Sequence, residues 1–140
     1  MRPPLSPVAH GLLECAAAPI WALAPARLGL TEVAAALSWT LAGGVLAAAT
    51  LTRYPLGIVK IVPLRVHAWI DRCATPLVMA APWIAGFAGI PAARNLFLVM
   101  GGLGLVVTIS TDFDVPRGVA GLARDRRTRA TMRHSGRPRV

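Results

Sequence analysis

The chain has 140 residues, room for one domain, and is 55% apolar but only 15% charged. Soluble domains carry about 25% charged residues, so this balance excludes an ordinary water-soluble fold. The formal net charge of +9 is unevenly placed: Leu12 to Ile109 carries only nine charged residues, whereas the last 29 residues hold eight arginines and three aspartates.

Four apolar stretches approach the roughly 20 residues needed to cross a bilayer. The first runs from about His10 to Ala26 and contains Pro19 and Pro25. Arg2 and the small residues of Ala22-Leu23-Ala24 are compatible with a cleaved signal, but Glu14 interrupts the apolar region, so the segment is read as a retained helix. The second stretch runs from Glu32 to Thr52, with Thr31 as its N-cap and Glu32 favourably placed in the first turn. The third, Val66 to Phe87, contains Pro76 and Pro82. The fourth, Pro91 to Thr111, opens on a proline at a position where no N–H is needed. Internal prolines are tolerated in membrane helices when neighbours satisfy the freed carbonyls.

The first and third stretches correspond. A shift of 57 places His10 on His67, Glu14 on Asp71, Pro19 on Pro76 and Pro25 on Pro82. A shift of 58 places Gly43-Gly44 on Gly101-Gly102 and Thr50 on Thr108. Agreement in polar, proline and glycine positions points to an internal duplication. The expected organisation is a short N-terminus (1–9), a first two-helix repeat (10–52), a basic connector (53–65), a second repeat (66–111) and a basic tail (112–140). The expected fold is therefore all-α, with four transmembrane helices as two tandem hairpins in parallel, non-inverted orientation. Arg2, the connector basic residues Arg53, Lys60 and Arg65, and the tail fall on one side, which the positive-inside rule places in the cytoplasm.

The stretch from Leu51 to Asp71, followed by Ala81-Pro82-Trp83-Ile84-Ala85-Gly86-Phe87, resembles the SPW-repeat integral membrane proteins of bacteria. Pro82-Trp83 and Gly86-Phe87 match that motif, while Ala81 replaces its serine and the first copy reads Ala24-Pro25-Ala26 without a tryptophan. A glycine expected four residues after the acid is Ala18 in one copy and Thr75 in the other. The resemblance implies a domain of the bacterial inner membrane and no particular activity.

Chemistry is concentrated in two i, i+4 pairs, His10 with Glu14 and His67 with Asp71, each sharing one helix face. Such groups are costly in a membrane and suggest function. They could relay protons, handle a solute or ligate a metal. The plainer reading has each carboxylate accept hydrogen bonds from first-turn amides and its histidine, with Arg72 beside Asp71 as a local countercharge. No cofactor or resident metal is expected on that reading. Gly43, Gly44, Gly101 and Gly102 are expected to let helices approach closely. Trp21, Trp39, Trp69, Trp83 and Phe87 suit interfacial anchoring, with the lining of a ligand cleft as the alternative. The tail arginines Arg117, Arg124, Arg126, Arg127 and Arg129 suit anionic lipid headgroups, and without interleaved aromatics they do not suggest nucleic acid. Cys15 and Cys73 are expected to be free, buried thiols. No nucleophile–base arrangement is visible. The expectation is a non-enzymatic membrane domain supporting oligomerisation (a homo-oligomer being possible) or a partner, with a proton- or solute-handling carrier as the alternative.

Overall fold

The computed structural model describes residues 3–30 and 32–113. Within them the chain is all-α, with α1 Pro7–Leu28, α2 Glu32–Leu51, α3 Leu64–Ile84 and α4 Pro91–Ile109. Helix α1 packs along α2, α3 packs along α4, and α1 also meets α4. The proposed cap at Thr31 and the arginines Arg117, Arg124, Arg126, Arg127 and Arg129 lie outside the described residues.

Helices α1 and α3 begin earlier than the apolar pattern suggests. Ser6 caps α1, its Oγ accepting from the Ala9 amide at 3.2 Å, and Pro7 follows at a position that needs no N–H. This start moves Glu14 to the eighth residue of its helix, about 10 Å along the axis. Asp71 is likewise the eighth residue of α3. Neither carboxylate is therefore a first-turn cap, which corrects that half of the plainer reading, while each does lie against the histidine of its own helix.

Each helix pair turns on a glycine. Gly29 has φ 61° and Gly86 φ 78°, left-handed values that a side chain resists. Across these turns Leu30 N–H donates to Pro25 O at 3.0 Å, and Phe87 N–H donates to Pro82 O at 2.9 Å. These six-residue closures are Schellman bonds, with Leu30 and Phe87 the apolar residues that follow them inward. Phe87 is thus beyond α3 and buried, and Trp21 of α1 is buried as well, so both are core residues and not interfacial anchors. Phe87 stacks edge-on to Phe97, which also meets Trp21, both pairs with ring centroids 5.0 Å apart. Trp39, Trp69 and Trp83 are exposed, as anchoring requires.

Helices α1, α2 and α4 are long and apolar enough to cross a membrane. Helix α3 has the length, 21 residues, but Arg65, His67, Asp71 and Arg72 in its first half deprive it of the apolarity of the other three. The exterior differs from that of a soluble protein, and polar side chains join the apolar core. Leu12, Leu23, Leu46, Leu77, Val99 and Ile109 are exposed, while His10, Ser38, Thr52, His67, Thr108 and Thr111 are buried. An exterior this apolar is compatible with contact to lipid acyl chains.

Small residues do two different jobs. A Cβ on Gly101 would fall against Met79 and the Thr75 carbonyl, and one on Gly104 would fall 3.0 Å from Thr75 Cγ2, so α4 approaches α3 closely there. Gly43, Gly44 and Gly102 face open space. They do not mediate packing within the chain, contrary to expectation. Cys15 and Cys73 are free but exposed, which corrects the expectation of burial.

The connector is not loose. Ile58 N–H donates to Thr50 O at 2.8 Å, and Ile61 and Val62 both donate to Leu51 O at 2.9 Å, satisfying carbonyls at the end of α2. Two short backbone bridges complete this end of the bundle, Val62 with Thr52 and Leu5 with Thr111.

Candidate functional site

The two helical pairs noted in the sequence meet at one point. His10 and His67 are 4% and 2% exposed, and the side chains of Glu14 and Asp71 are each 14% exposed. His10 Nε2 lies 3.6 Å from Glu14 Oε1 and 3.1 Å from Asp71 Oδ2. His67 Nε2 lies 3.3 Å from Glu14 Oε1 and 3.1 Å from Asp71 Oδ2. The two Nε2 atoms are 3.5 Å apart. Each histidine thus engages both carboxylates, the one on its own helix and the one on the other. A helical i, i+4 spacing delivers each pair to one face, and the convergence of α1 and α3 supplies the rest. Arg72 takes no part: its guanidinium lies 5.8 Å over the rings of Trp69 and Phe113.

The outer faces of the imidazoles are fixed by threonines that the sequence reading did not single out. His67 Nδ1 is 3.0 Å from Thr52 Oγ1, and His10 Nδ1 is 3.0 Å from Thr111 Oγ1. Thr52 Oγ1 donates to Ala48 O and Thr111 Oγ1 donates to Val107 O, both at 2.6 Å. A hydroxyl has one proton, so each threonine oxygen must accept from the imidazole. Both histidines therefore carry a proton on Nδ1 and present Nε2 to the carboxylates. The contacts cross over: the histidine of α1 is held by Thr111, two residues past α4, and that of α3 by Thr52, the residue after α2. The signal for them was the recurrence of Thr52-Arg53-Tyr54 as Thr111-Asp112-Phe113, at an offset of 59, one residue beyond the two registers used. Phe113 packs edge-on to His10 with centroids 5.4 Å apart.

A cavity of about 330 Å³ extends from this cluster between the helices. His10, Glu14 and Asp71 form part of its wall, and Leu13, Val78 and Leu103 belong to the rest, which is mostly apolar. Of the motif residues, Pro25 and Pro82 are buried under the two glycine turns, Ala81 is half-buried and Trp83 points outward. They lie at the opposite helix ends and take no part in the cluster.

No protein-family model, curated protein or solved structure matches this chain.

Proposed function

We propose that this chain is a multi-pass membrane protein that handles cations at the centre formed by His10, Glu14, His67 and Asp71. The observation that carries this reading is the convergence of all four polar heads on one point inside an apolar bundle. A carboxylate two turns into such a helix is expensive, and a merely structural role needs no more than one partner for each. Here the partners are shared four ways, and the cavity beside them reaches three of the four residues.

The architecture we infer is two tandem copies of one hairpin in the same orientation, of the SPW-repeat kind, in a bacterial inner membrane. Support for duplication extends beyond the sequence offsets. The Leu5–Thr111 and Val62–Thr52 bridges, the Gly29 and Gly86 turns, and the crossed histidine–threonine contacts each occur twice at offsets of 57 to 59. Helix α3 is then the fourth span, its histidine and carboxylate turned onto α1 and away from lipid. The termini and the connector carrying Arg53, Lys60 and Arg65 face the cytoplasm, and the tail arginines meet anionic headgroups.

Cation handling is tested in sealed vesicles containing the purified protein and, in parallel arms, a proton-sensitive or a divalent-metal-sensitive dye. An imposed gradient of the matching cation should collapse faster than in empty vesicles. A Glu14→Gln/Asp71→Asn variant that inserts and stays monodisperse should abolish the difference. Wild-type vesicles indistinguishable from empty ones in both arms would refute the proposal.

A further inference from the structure

Most of the separations among the four converging atoms have the dimensions of a coordination shell. In a tetrahedral zinc site the metal–ligand bonds are about 2.0–2.1 Å, which sets ligand–ligand edges of about 3.3–3.4 Å. Five of the six edges among His10 Nε2, His67 Nε2, Glu14 Oε1 and Asp71 Oδ2 lie between 3.1 and 3.6 Å. The sixth, between a Glu14 and an Asp71 carboxylate oxygen, is bounded at 4.8 Å, and a tetrahedral ion requires these two oxygens to close to about 3.4 Å. The threonine contacts make the set more specific. With Nδ1–H donated to Thr52 and Thr111, neutral imidazoles turn the Nε2 lone pairs inward. All four central atoms are then acceptors, with Asp71 Oδ2 a buried oxygen facing both Nε2 atoms at 3.1 Å.

Four acceptors need positive charge among them. Two protons would give two imidazolium N–H groups facing each other 3.5 Å apart, each divided between two carboxylates. One divalent ion instead satisfies all four atoms at once and balances the two carboxylate charges. We propose that this centre binds one divalent transition-metal ion of the zinc class, tetrahedrally, through His10, Glu14, His67 and Asp71, with Thr52 and Thr111 as orienting residues. Calcium and magnesium do not fit, since both favour six or more oxygen ligands. The carboxylate–imidazole set and the absence of thiolate likewise disfavour soft ions. The inference rests on the cation-handling reading of the same centre and names its cation.

The full-length chain in detergent, stripped with a chelator and re-dialysed, should take up one zinc per chain, read by elemental analysis and titration calorimetry. Cobalt(II) in place of zinc should show the intense visible bands of a four-coordinate site, and X-ray absorption should find two imidazoles and two oxygens. His67→Asn or Glu14→Gln should abolish stoichiometric binding. Thr52→Val, which leaves all four ligands in place, should weaken binding about 10–100-fold, the usual effect of removing an orienting partner. Failure to bind a stoichiometric ion, a six-coordinate cobalt spectrum, or unaltered affinity in Thr52→Val would overturn the inference. The two readings separate cleanly. Proton flux without metal binding leaves cation handling and removes the metal; tight metal binding without flux keeps the metal site and removes the carrier.

Discussion

Tyr54 occupies the space that a side chain on residue 11 would require. A Cβ built on Gly11 would collide with the phenol oxygen and two ring carbons of Tyr54. The connector is pinned to α1 by this contact, one turn from Glu14 and next to His10. Gly11→Ala should therefore destabilise the bundle by about 1–3 kcal/mol, the usual cost of overpacking. Thermal unfolding in detergent, followed by circular dichroism, measures it. A second change, Tyr54→Leu, should cost less in the Gly11→Ala background than in the wild type, because the clash has gone. Additive costs would show that the contact is not the cause.

Tyr54 also offers a spectroscopic handle, being the single tyrosine. Its hydroxyl is buried without a hydrogen-bond partner among the described residues. Burial, and then the negative charge of Glu14 and of Cys15 when ionised, push its pKa above the ordinary value of about 10. A folded pKa above the unfolded one favours folding below about pH 10, and that contribution is lost as pH rises through the folded value. An ultraviolet titration should find tyrosinate forming later in the folded protein than in denaturant. Tyr54→Phe should be neutral or mildly stabilising, since it removes an unsatisfied hydroxyl. A midpoint at or below that of the denatured chain would contradict the burial described.

Pro25 has no N–H for the carbonyl of Trp21, and Ser38 of α2 supplies the missing proton, its Oγ donating to Trp21 O at 2.6 Å. Ser38→Ala should cost about 1–3 kcal/mol by leaving a buried carbonyl unpaired. Restoring an amide donor with Pro25→Ala should recover part of the loss. A double-mutant cycle on thermal stability reports the coupling directly, and zero coupling would mean that the two sites act independently.

Much of the fold was legible because membrane insertion is a coarse requirement: long apolar runs announce themselves whatever their tertiary partners. The His10–Glu14 and His67–Asp71 pairs were also legible, since i, i+4 spacing decides their shared face. What could not be read was the depth of those pairs. Ser6-Pro7 starts α1 one turn before the apolar run becomes clean, and that turn moves Glu14 from cap to interior. The roles of Thr52 and Thr111 were hidden for a similar reason. They lie just past the ends of α2 and α4, where apolar periodicity stops and only tertiary contact assigns a partner. Likewise the pattern of glycines in α2 and α4 is nearly the same, yet only α4 turns Gly101 and Gly104 onto a neighbour.

That last difference gives a graded test of which helix faces are covered within one chain. Gly101→Ala should be strongly destabilising, because the new methyl meets Met79 and the Thr75 carbonyl, and the backbone carbonyl cannot swing aside. Gly29→Ala and Gly86→Ala should each cost about 1 kcal/mol through their left-handed φ, with no clash involved. Gly43→Ala and Gly44→Ala meet nothing and gain helix propensity, so they should be neutral or stabilise by up to about 1 kcal/mol. Thermal unfolding of the five variants at two protein-to-detergent ratios separates the causes. If Gly43→Ala or Gly44→Ala instead destabilises, and does so only at the higher ratio, then those glycines are buried against a second copy of the chain. Loss at both ratios would show that α2 turns that face inward, against the packing described here.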